Sequence, residues 1–409
     1  MAGLLQIEEP ARAGRRGSPR DVPSWSALLD MGFRPLYMAG GAWAAISVAI
    51  WIFAPAWLVG RMPGVYWHAH EMLWGVIATI AAGFLLTAAT NWTGINPMRG
   101  APLGVFTALW LAARIGFLVP GDPAFLIAGT CEVLGFAWVA AALARVVHRA
   151  RSRRNLGLPW LMLGLAASDA WYLAGIREGA YLVVMQRLQA GMLCMAVIAL
   201  LIGRRVIPFF AMRAVEGLSV PMHTRSGQWQ LAAGVAAIGC HLAGQALAEA
   251  VLLGVAGGFA LVQVLTWEPW RVRRVPLLWI LYIGYAGLAA GLLVSGLHAS
   301  GALDRGAWPA HVIGVAGFSV LIIGMITRTA LGHLGRPLRT DRLIVSCYML
   351  VIVAALARLA ALVPGPWTLA ALHASAACWV LAFALYLWRF VPMMIRPRID
   401  AQAAQVQRR

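Results

Sequence analysis

The 409-residue chain is 61% hydrophobic and only 12% charged, with a mean hydropathy of +0.76. This composition excludes an ordinary soluble domain, in which about half of the residues are apolar, and predicts a protein embedded in a lipid bilayer. The net charge of +18 accompanies no soluble basic domain. We therefore expect attraction to anionic lipid headgroups and no nucleic-acid binding.

Apolar runs recur along the whole chain, each long enough to cross a bilayer as a helix of about 17 to 25 residues. They predict an all-α polytopic membrane protein with about twelve transmembrane helices. The predicted spans are 36–60, 68–90, 101–119, 123–147, 157–176, 179–202, 229–249, 251–267, 276–298, 307–331, 343–363 and 367–391. They form one transmembrane domain, 34–392, split six plus six by an interior loop, 203–228, between an Arg-rich N-terminal tail, 1–33, and a C-terminal tail, 393–409.

Arginine sets the expected orientation, because the chain contains no lysine and its arginines concentrate in alternate loops. Cytoplasmic loops carry the excess of basic residues in membrane proteins. The arginine-rich loops are 145–154, 204–225, 271–274 and 336–342. Both tails are therefore expected in the cytoplasm. The first span is too long for a signal-peptide core, so we expect no cleavage.

Six of the nine histidines fall in the outer half of the predicted bundle: His68, His70, His241, His298, His311 and His373. A helix rise of about 1.5 Å per residue places them at similar depth. Ionisable groups are costly in a bilayer, and neutral imidazole is a common metal ligand. Together they predict a buried metal or haem site. Each one alone is better explained as a hydrogen-bonded core or interfacial histidine.

His68 and His70 are separated by about 200° around a regular helix, so they suit two different sites. His68 and Met72, four residues apart, share a helix face. An imidazole with a thioether suits copper, especially Cu(I), although methionine is also common packing filler. The pattern makes Met72 a candidate metal ligand.

Charged side chains inside the predicted spans are further candidates, since each must pair or face a cavity. The acidic ones, Glu71, Glu132 and Asp169, are candidates for proton conduction. The basic ones, Arg114, Arg187 and Arg358, are candidates for binding haem propionates, because guanidinium binds carboxylates bidentately. A structural ion pair between Arg114 and Glu132 is an equally good interpretation.

The five cysteines lie singly in five different spans, and no C-x-x-C-H haem attachment signal is present. A haem in this chain would therefore be bound without covalent attachment, as haem b. At the inner end of the tenth span, His333 follows Thr327 and Arg328. The residue pattern alone is typical of a capped helix end at the cytoplasmic side of the membrane.

Several motifs resemble the NnrS family of bacterial membrane proteins, and together they cover nearly the whole chain. They are Trp67-His68-Ala69-His70-Glu71-Met72, Ala82-Gly83-Phe84-Leu85-Leu86-Thr87, Asn91-Trp92-Thr93-Gly94, Leu109-Trp110-Leu111-Ala112-Ala113-Arg114, Arg205-Val206-Ile207-Pro208-Phe209-Phe210, Thr327-Arg328 to Pro337, and Leu387-Trp388-Arg389-Phe390 to Pro397-Arg398. The chain departs from the family at Thr90 and Arg204, where proline and glycine are usual. Neither position is a candidate ligand.

The resemblance implies a haem- and copper-containing protein of the bacterial inner membrane, linked to nitric oxide metabolism and to protection from nitrosative stress in denitrifying and related bacteria. It carries over most directly to His68, His70, His311 and His333, and then to Glu71, Arg114 and Arg328. Under the resemblance, His333 becomes a candidate haem or copper ligand.

Three functions remain open at this point. In the first, the protein reduces nitric oxide to nitrous oxide as a nitric oxide reductase-like enzyme, with an unidentified electron donor. In the second, it binds nitric oxide or a related small molecule without turnover. The alternative is a secondary transporter of a metal, haem or small anion. Such transporters often consist of two six-helix halves with a site near the midplane.

Overall fold

The structure is a computed structural model that describes residues 22–399, and within this range it contains helices and no β-strand. A single helical turn, Trp25–Leu28, precedes twelve long helices. These are α1 (Phe33–Phe53), α2 (Val65–Thr93), α3 (Ala101–Gly116), α4 (Asp122–Arg149), α5 (Gly157–Glu178), α6 (Tyr181–Ala214), α7 (Thr224–Leu242), α8 (Ala246–Thr266), α9 (Pro276–Ala299), α10 (Ala307–His333), α11 (Arg342–Ala360) and α12 (Thr368–Met394).

Each predicted span overlaps one of these helices, although the seventh span, 229–249, was predicted to run past Leu242, where α7 ends, and includes the first residues of α8. Within the described range, nine helices are long and apolar enough to cross a membrane; the others are α3, which is shorter, α5 and α7. The predicted class, an all-α polytopic membrane protein, is confirmed. Twelve crossings and cytoplasmic termini stay predictions, and most of the two tails lies outside the described residues.

Two boundaries differ from the predicted ones for clear physical reasons. The first span was expected to reach residue 60, but α1 ends at Phe53. Pro55 follows, and a proline disfavours the helical conformation in the residue before it. The interior loop 203–228 is much shorter than expected, because α6 continues to Ala214. Two arginines of this segment form hydrogen bonds: Arg205 donates to Asn155 Oδ1 at 2.8 Å, and Arg204 donates to the His223 carbonyl at 3.3 Å.

Most consecutive helices pack against each other, α2 also packs against α4, and α12 packs against α1 to close the bundle. The two ends of the described range meet at one face, where the Ser24 amide donates to the Ile395 carbonyl at 2.9 Å. Arg34 Nη1 also donates to the carbonyls of Met394 and Arg396, at 2.7 and 2.6 Å. A chain whose ends meet at one face traverses the bundle an even number of times.

Helices α2 and α10 each contain a π-helical segment, Glu71–Ala78 in α2 and Val312–Ser319 in α10. The two segments contact each other. Each begins directly after a candidate ligand, His70 or His311. Because a π-helical turn holds more residues than an α-helical turn, it changes the direction in which flanking side chains point. Such segments occur frequently at functional sites.

A small-residue face on α9 allows the second π-helical segment to pack closely. A Cβ on Gly291 would lie 2.5 Å from Ile313 Cγ1, and one on Gly287 would overlap the Ala316 carbonyl. Small residues let membrane helices approach backbone to backbone. This contact fixes the position of α10, and with it the position of His311.

Candidate metal centre

His70 lies at the centre of a buried cluster of ionisable side chains contributed by α2, α3, α4 and α5. Its Nε2 atom is 3.0 Å from Asp169 Oδ1 and 3.1 Å from Glu132 Oε2. Its Nδ1 atom is 3.1 Å from Glu71 Oε1. One imidazole therefore contacts three carboxylates from three different helices.

Arg114 closes the cluster on the side away from the imidazole. Its guanidinium donates to Glu71 Oε2 through Nη1 and to Glu132 Oε1 through Nη2. The Trp43 indole donates to the same Glu71 oxygen. The predicted pairing of Arg114 with Glu132 is therefore present, as part of a larger network.

Aromatic rings seal the cluster from solvent. His70, Glu71, Arg114 and Asp169 are each 0% exposed. Rings of Trp74, Phe117 and Tyr172 surround the imidazole, with centroids 5.3, 4.8 and 5.8 Å away. Two hydrogen bonds hold this wall in place: Trp74 Nε1 donates to the Leu165 carbonyl at 3.1 Å, and the Tyr172 hydroxyl donates to the Tyr66 carbonyl at 2.9 Å. Charges in such surroundings interact more strongly than in water.

The charges of the described side chains in this cluster do not balance. Three carboxylates face one guanidinium, which leaves two negative charges; a proton on His70 balances one of them, and a divalent cation balances both. Asp169 Oδ2 and Glu132 Oε2 are buried and accept no hydrogen bond. Burying an unpaired charge is costly, so a further positive charge belongs here.

A second group of candidate residues meets between α2, α10 and α11. His68 lies within electrostatic range of both His311 and Arg358. Its ring stacks on Trp51 with centroids 5.3 Å apart and an interplanar angle of 9°. Its Nδ1 atom is buried without a hydrogen-bond partner, whereas His311 Nδ1 donates to the Ala307 carbonyl at 2.7 Å. His68 and His70 thus lie in separate surroundings.

An open pocket of about 630 Å³ adjoins this second group. Arg358 and Ala307 line it, together with Arg305 and Trp308. Ala307 is also the residue whose carbonyl holds His311. The pocket therefore has two arginines in its wall, and it includes the residue whose carbonyl accepts from His311.

The other outer histidines have different neighbours. His241 faces the Glu249 carboxylate at 3.1 Å and donates through Nε2 to the Gln186 carbonyl at 2.9 Å. His298 Nδ1 donates to the Leu303 carbonyl at 2.6 Å. The ring of His373 stacks on Phe53 with centroids 5.8 Å apart. Similar depth does not bring these three rings to either group of candidate residues.

The remaining predicted residues divide in the same way. Arg187 is engaged by Glu178 Oε2 at 2.7 Å and by the Trp171 carbonyl at 2.9 Å, which are structural contacts between α5 and α6. His333, the last residue of α10, packs its ring against Phe33 with centroids 5.5 Å apart. Arg328 is buried with its guanidinium 4.0 Å from the Phe210 ring centroid. Met72 is half-buried against the core.

Two tryptophans that contact these sites were not among the candidates from the sequence: Trp43 beside Glu71 and Trp51 stacked on His68. Their position in the first span could have indicated a buried role. Membrane tryptophans usually lie at the interfaces, and Trp43 lies in the middle of α1, where its indole N–H needs a buried acceptor.

A helical bundle whose interior holds clustered imidazoles, carboxylates and guanidinium groups defines a polytopic membrane protein with a buried functional site. The family model described as NnrS protein matches residues 27–398. The chain therefore belongs to the NnrS family, whose members are membrane proteins linked to nitric oxide. No curated protein shows a significant match to it.

Proposed function

We propose that this chain is a haem-copper protein of the bacterial inner membrane that binds or converts nitric oxide at a metal site in the outer half of the bundle. The observation that carries the proposal is that His68, His311 and Arg358 lie within electrostatic range of one another, and that Arg358 lines an open pocket. His68 lies on α2, which is distant in sequence from the neighbouring helices α10 and α11. Nitrosative stress protection is the corresponding physiological role.

The residues of this site fit a non-covalently bound haem. The Nδ1–H group of His311 is occupied by the Ala307 carbonyl, which leaves Nε2 as the ligand atom, the usual arrangement for a metal-binding histidine. His68 offers a buried nitrogen without a partner. Arg358 and Arg305, both lining the pocket, suit the two propionates because guanidinium binds carboxylates bidentately. When bound, haem supplies an iron with a position for a diatomic ligand.

Copper has an alternative candidate set in the same region, which shares His68 with the haem candidates. His68 and Met72 are four residues apart on α2, and imidazole with thioether sulfur suits Cu(I). Turnover of nitric oxide to nitrous oxide would also need protons and an electron donor. Glu71, Glu132 and Asp169 are the predicted proton route, and His70 lies between them.

An optical spectrum of the purified full-length protein tests the proposal. We expect a Soret band at a stoichiometric level that shifts when nitric oxide is added, and copper by elemental analysis. A protein isolated without haem or copper, which moves a metal, haem or small anion across vesicles, would contradict it and favour a secondary transporter.

A further inference from the structure

We propose that His70, Glu132 and Asp169 bind one divalent cation of the iron(II), manganese(II) or zinc(II) type, at a site separate from the one beside His68. The described part of the chain holds one such group of converging ligand atoms. This inference does not rest on the haem site, and it gives Glu132 and Asp169 a role other than proton transfer.

The spacing of the ligand atoms fits a metal coordination sphere. His70 Nε2 is 3.0 Å from Asp169 Oδ1 and 3.1 Å from Glu132 Oε2. In an octahedral site with metal–ligand bonds of about 2.1 Å, neighbouring ligand atoms are about 3.0 Å apart. The cation would need little rearrangement of these side chains.

Other side chains already contact the second ring nitrogen of His70 and the second carboxylate oxygen of Glu132. His70 Nδ1 is 3.1 Å from Glu71 Oε1, and metal-binding histidines usually donate their second ring N–H to a carboxylate in this way. Arg114 holds the far oxygen of Glu132. If Nδ1 carries the proton of a neutral imidazole, the lone pair of Nε2 points toward carboxylate oxygens, and that arrangement requires a cation between them.

Two carboxylate oxygens of the proposed ligands have no hydrogen-bond partner. Glu132 Oε2 and Asp169 Oδ2 are buried without a hydrogen bond, although their residues are only 3% and 0% exposed. With a neutral imidazole, the cluster carries two unbalanced negative charges, and one divalent cation balances both. A single proton on His70 would balance only one.

The donor set indicates which metals the site would take. One imidazole nitrogen and two carboxylate oxygens suit iron(II), manganese(II) or zinc(II), whereas Cu(I) prefers sulfur ligands. Three protein ligands also leave coordination positions open. The site therefore resembles the mixed histidine and carboxylate sites of non-haem metals rather than a copper centre.

Metal content and Mn²⁺ binding of the full-length protein in detergent test this proposal. Because the site is sealed, we would measure divalent metal in the isolated protein by elemental analysis, then remove it with a chelator and follow Mn²⁺ binding by electron paramagnetic resonance. We expect one divalent metal per chain and no displacement of Mn²⁺ by Cu⁺. Asp169→Asn and Glu132→Gln should each weaken Mn²⁺ binding by at least about tenfold.

Glu249→Gln is the matched control, because Glu249 is also a buried carboxylate facing a histidine but belongs to no group of three converging ligands among the described residues. It should bind Mn²⁺ like the wild type, and the Soret band should persist in all three variants. Folding is checked by the unfolding temperature. Folded wild-type protein that holds no divalent metal and binds none of Mn²⁺, Fe²⁺ or Zn²⁺ would overturn the proposal, as would unchanged binding in Asp169→Asn or Glu132→Gln.

Discussion

Arg114 is the residue on which the buried cluster depends most, because it is the one guanidinium that contacts both Glu71 and Glu132. Its Nε atom has no partner, and its guanidinium carbon lies 5.4 Å from the Phe117 ring centroid. The side chain is thus fixed by two carboxylates and an aromatic ring. Removing its charge leaves two buried carboxylates uncompensated.

We therefore predict that Arg114→Gln lowers the free energy of unfolding by about 3–5 kcal/mol, the cost of breaking a buried ion pair by removing one partner. Thermal unfolding in detergent would measure the change. The triple variant Glu71→Gln, Glu132→Gln, Arg114→Gln should regain part of this loss. Equal stability of Arg114→Gln and wild type would show that Arg114 does not compensate these carboxylates.

His223 provides a pH-dependent test at the inner face, in the loop before α7. Burial and the nearby Arg204 charge lower the pKa of its imidazole. Because this imidazole has a pKa of about 6.5 in the unfolded chain, the unfolded state binds more protons than the folded state as the pH falls. The contribution of His223 to stability is therefore full above about pH 6.5 and is lost as the pH falls through the folded pKa. The effect should be small because the ring is partly exposed.

Unfolding temperatures at about pH 7.5 and about pH 5.5, on either side of the unperturbed histidine pKa, would measure this contribution. The wild type should lose more stability between the two values than His223→Gln does. The same loss in both proteins would contradict the assignment.

The sequence predicts a depth for each candidate but not its neighbours, and the predicted depth itself depends on helix ends: α7 ends at Leu242, so His241 lies at the end of its helix and not inside it. Helix rise places His68 and His241 at comparable levels, but it says nothing about the direction in which each ring points around the bundle. The contact of His70 with Glu132 and Asp169 requires the packing of α2, α4 and α5 to be known. The lengths of the apolar runs predict which segments form helices, but they do not predict which faces of those helices contact each other.

At the scale of helices, the π-helical segments are the feature that the sequence pattern could not reveal. Both start directly after a histidine, and the close fit of α9 against the second segment depends on glycine. The extension of α6 to Ala214 was also hidden, because charged residues in 203–214 resembled a loop. Their side chains instead hydrogen-bond to neighbouring loops.

Gly287→Ala tests the packing of α9 against α10. The added Cβ would overlap the Ala316 carbonyl, and such overpacking typically costs about 1–3 kcal/mol. Because α10 carries His311, we also expect lower haem content. Gly258→Ala is the control, since a Cβ there meets nothing within 4 Å. Equal loss in both variants, read by unfolding temperature and Soret absorbance, would contradict this account.

At the scale of the whole molecule, the meeting of the chain ends at one face agrees with the arginine pattern. Ser24 contacts Ile395, and loops predicted to be cytoplasmic also contact each other, as in the hydrogen bond from Arg145 Nη2 to the Pro97 carbonyl at 2.7 Å. An even number of crossings, with the arginine-rich loops on one side, is the basis for the prediction that both tails lie in the cytoplasm.

Fusion reporters at the C-terminus test this orientation. A green fluorescent protein fused there should fluoresce, because it folds in the cytoplasm, while an alkaline phosphatase fused at the same point should be inactive. The same phosphatase inserted in the outer turn near Asp304 should be active. The reverse pattern would contradict the orientation.

The haem content of single alanine variants of His68, His311, His298 and His373 is the most direct measure of the central claim. His298 and His373 lie at comparable predicted depth but have other neighbours in the structure. The account predicts loss of haem in His68→Ala and His311→Ala and retention in the other two. Full haem content in both His68→Ala and His311→Ala, with loss in either of the others, would contradict it.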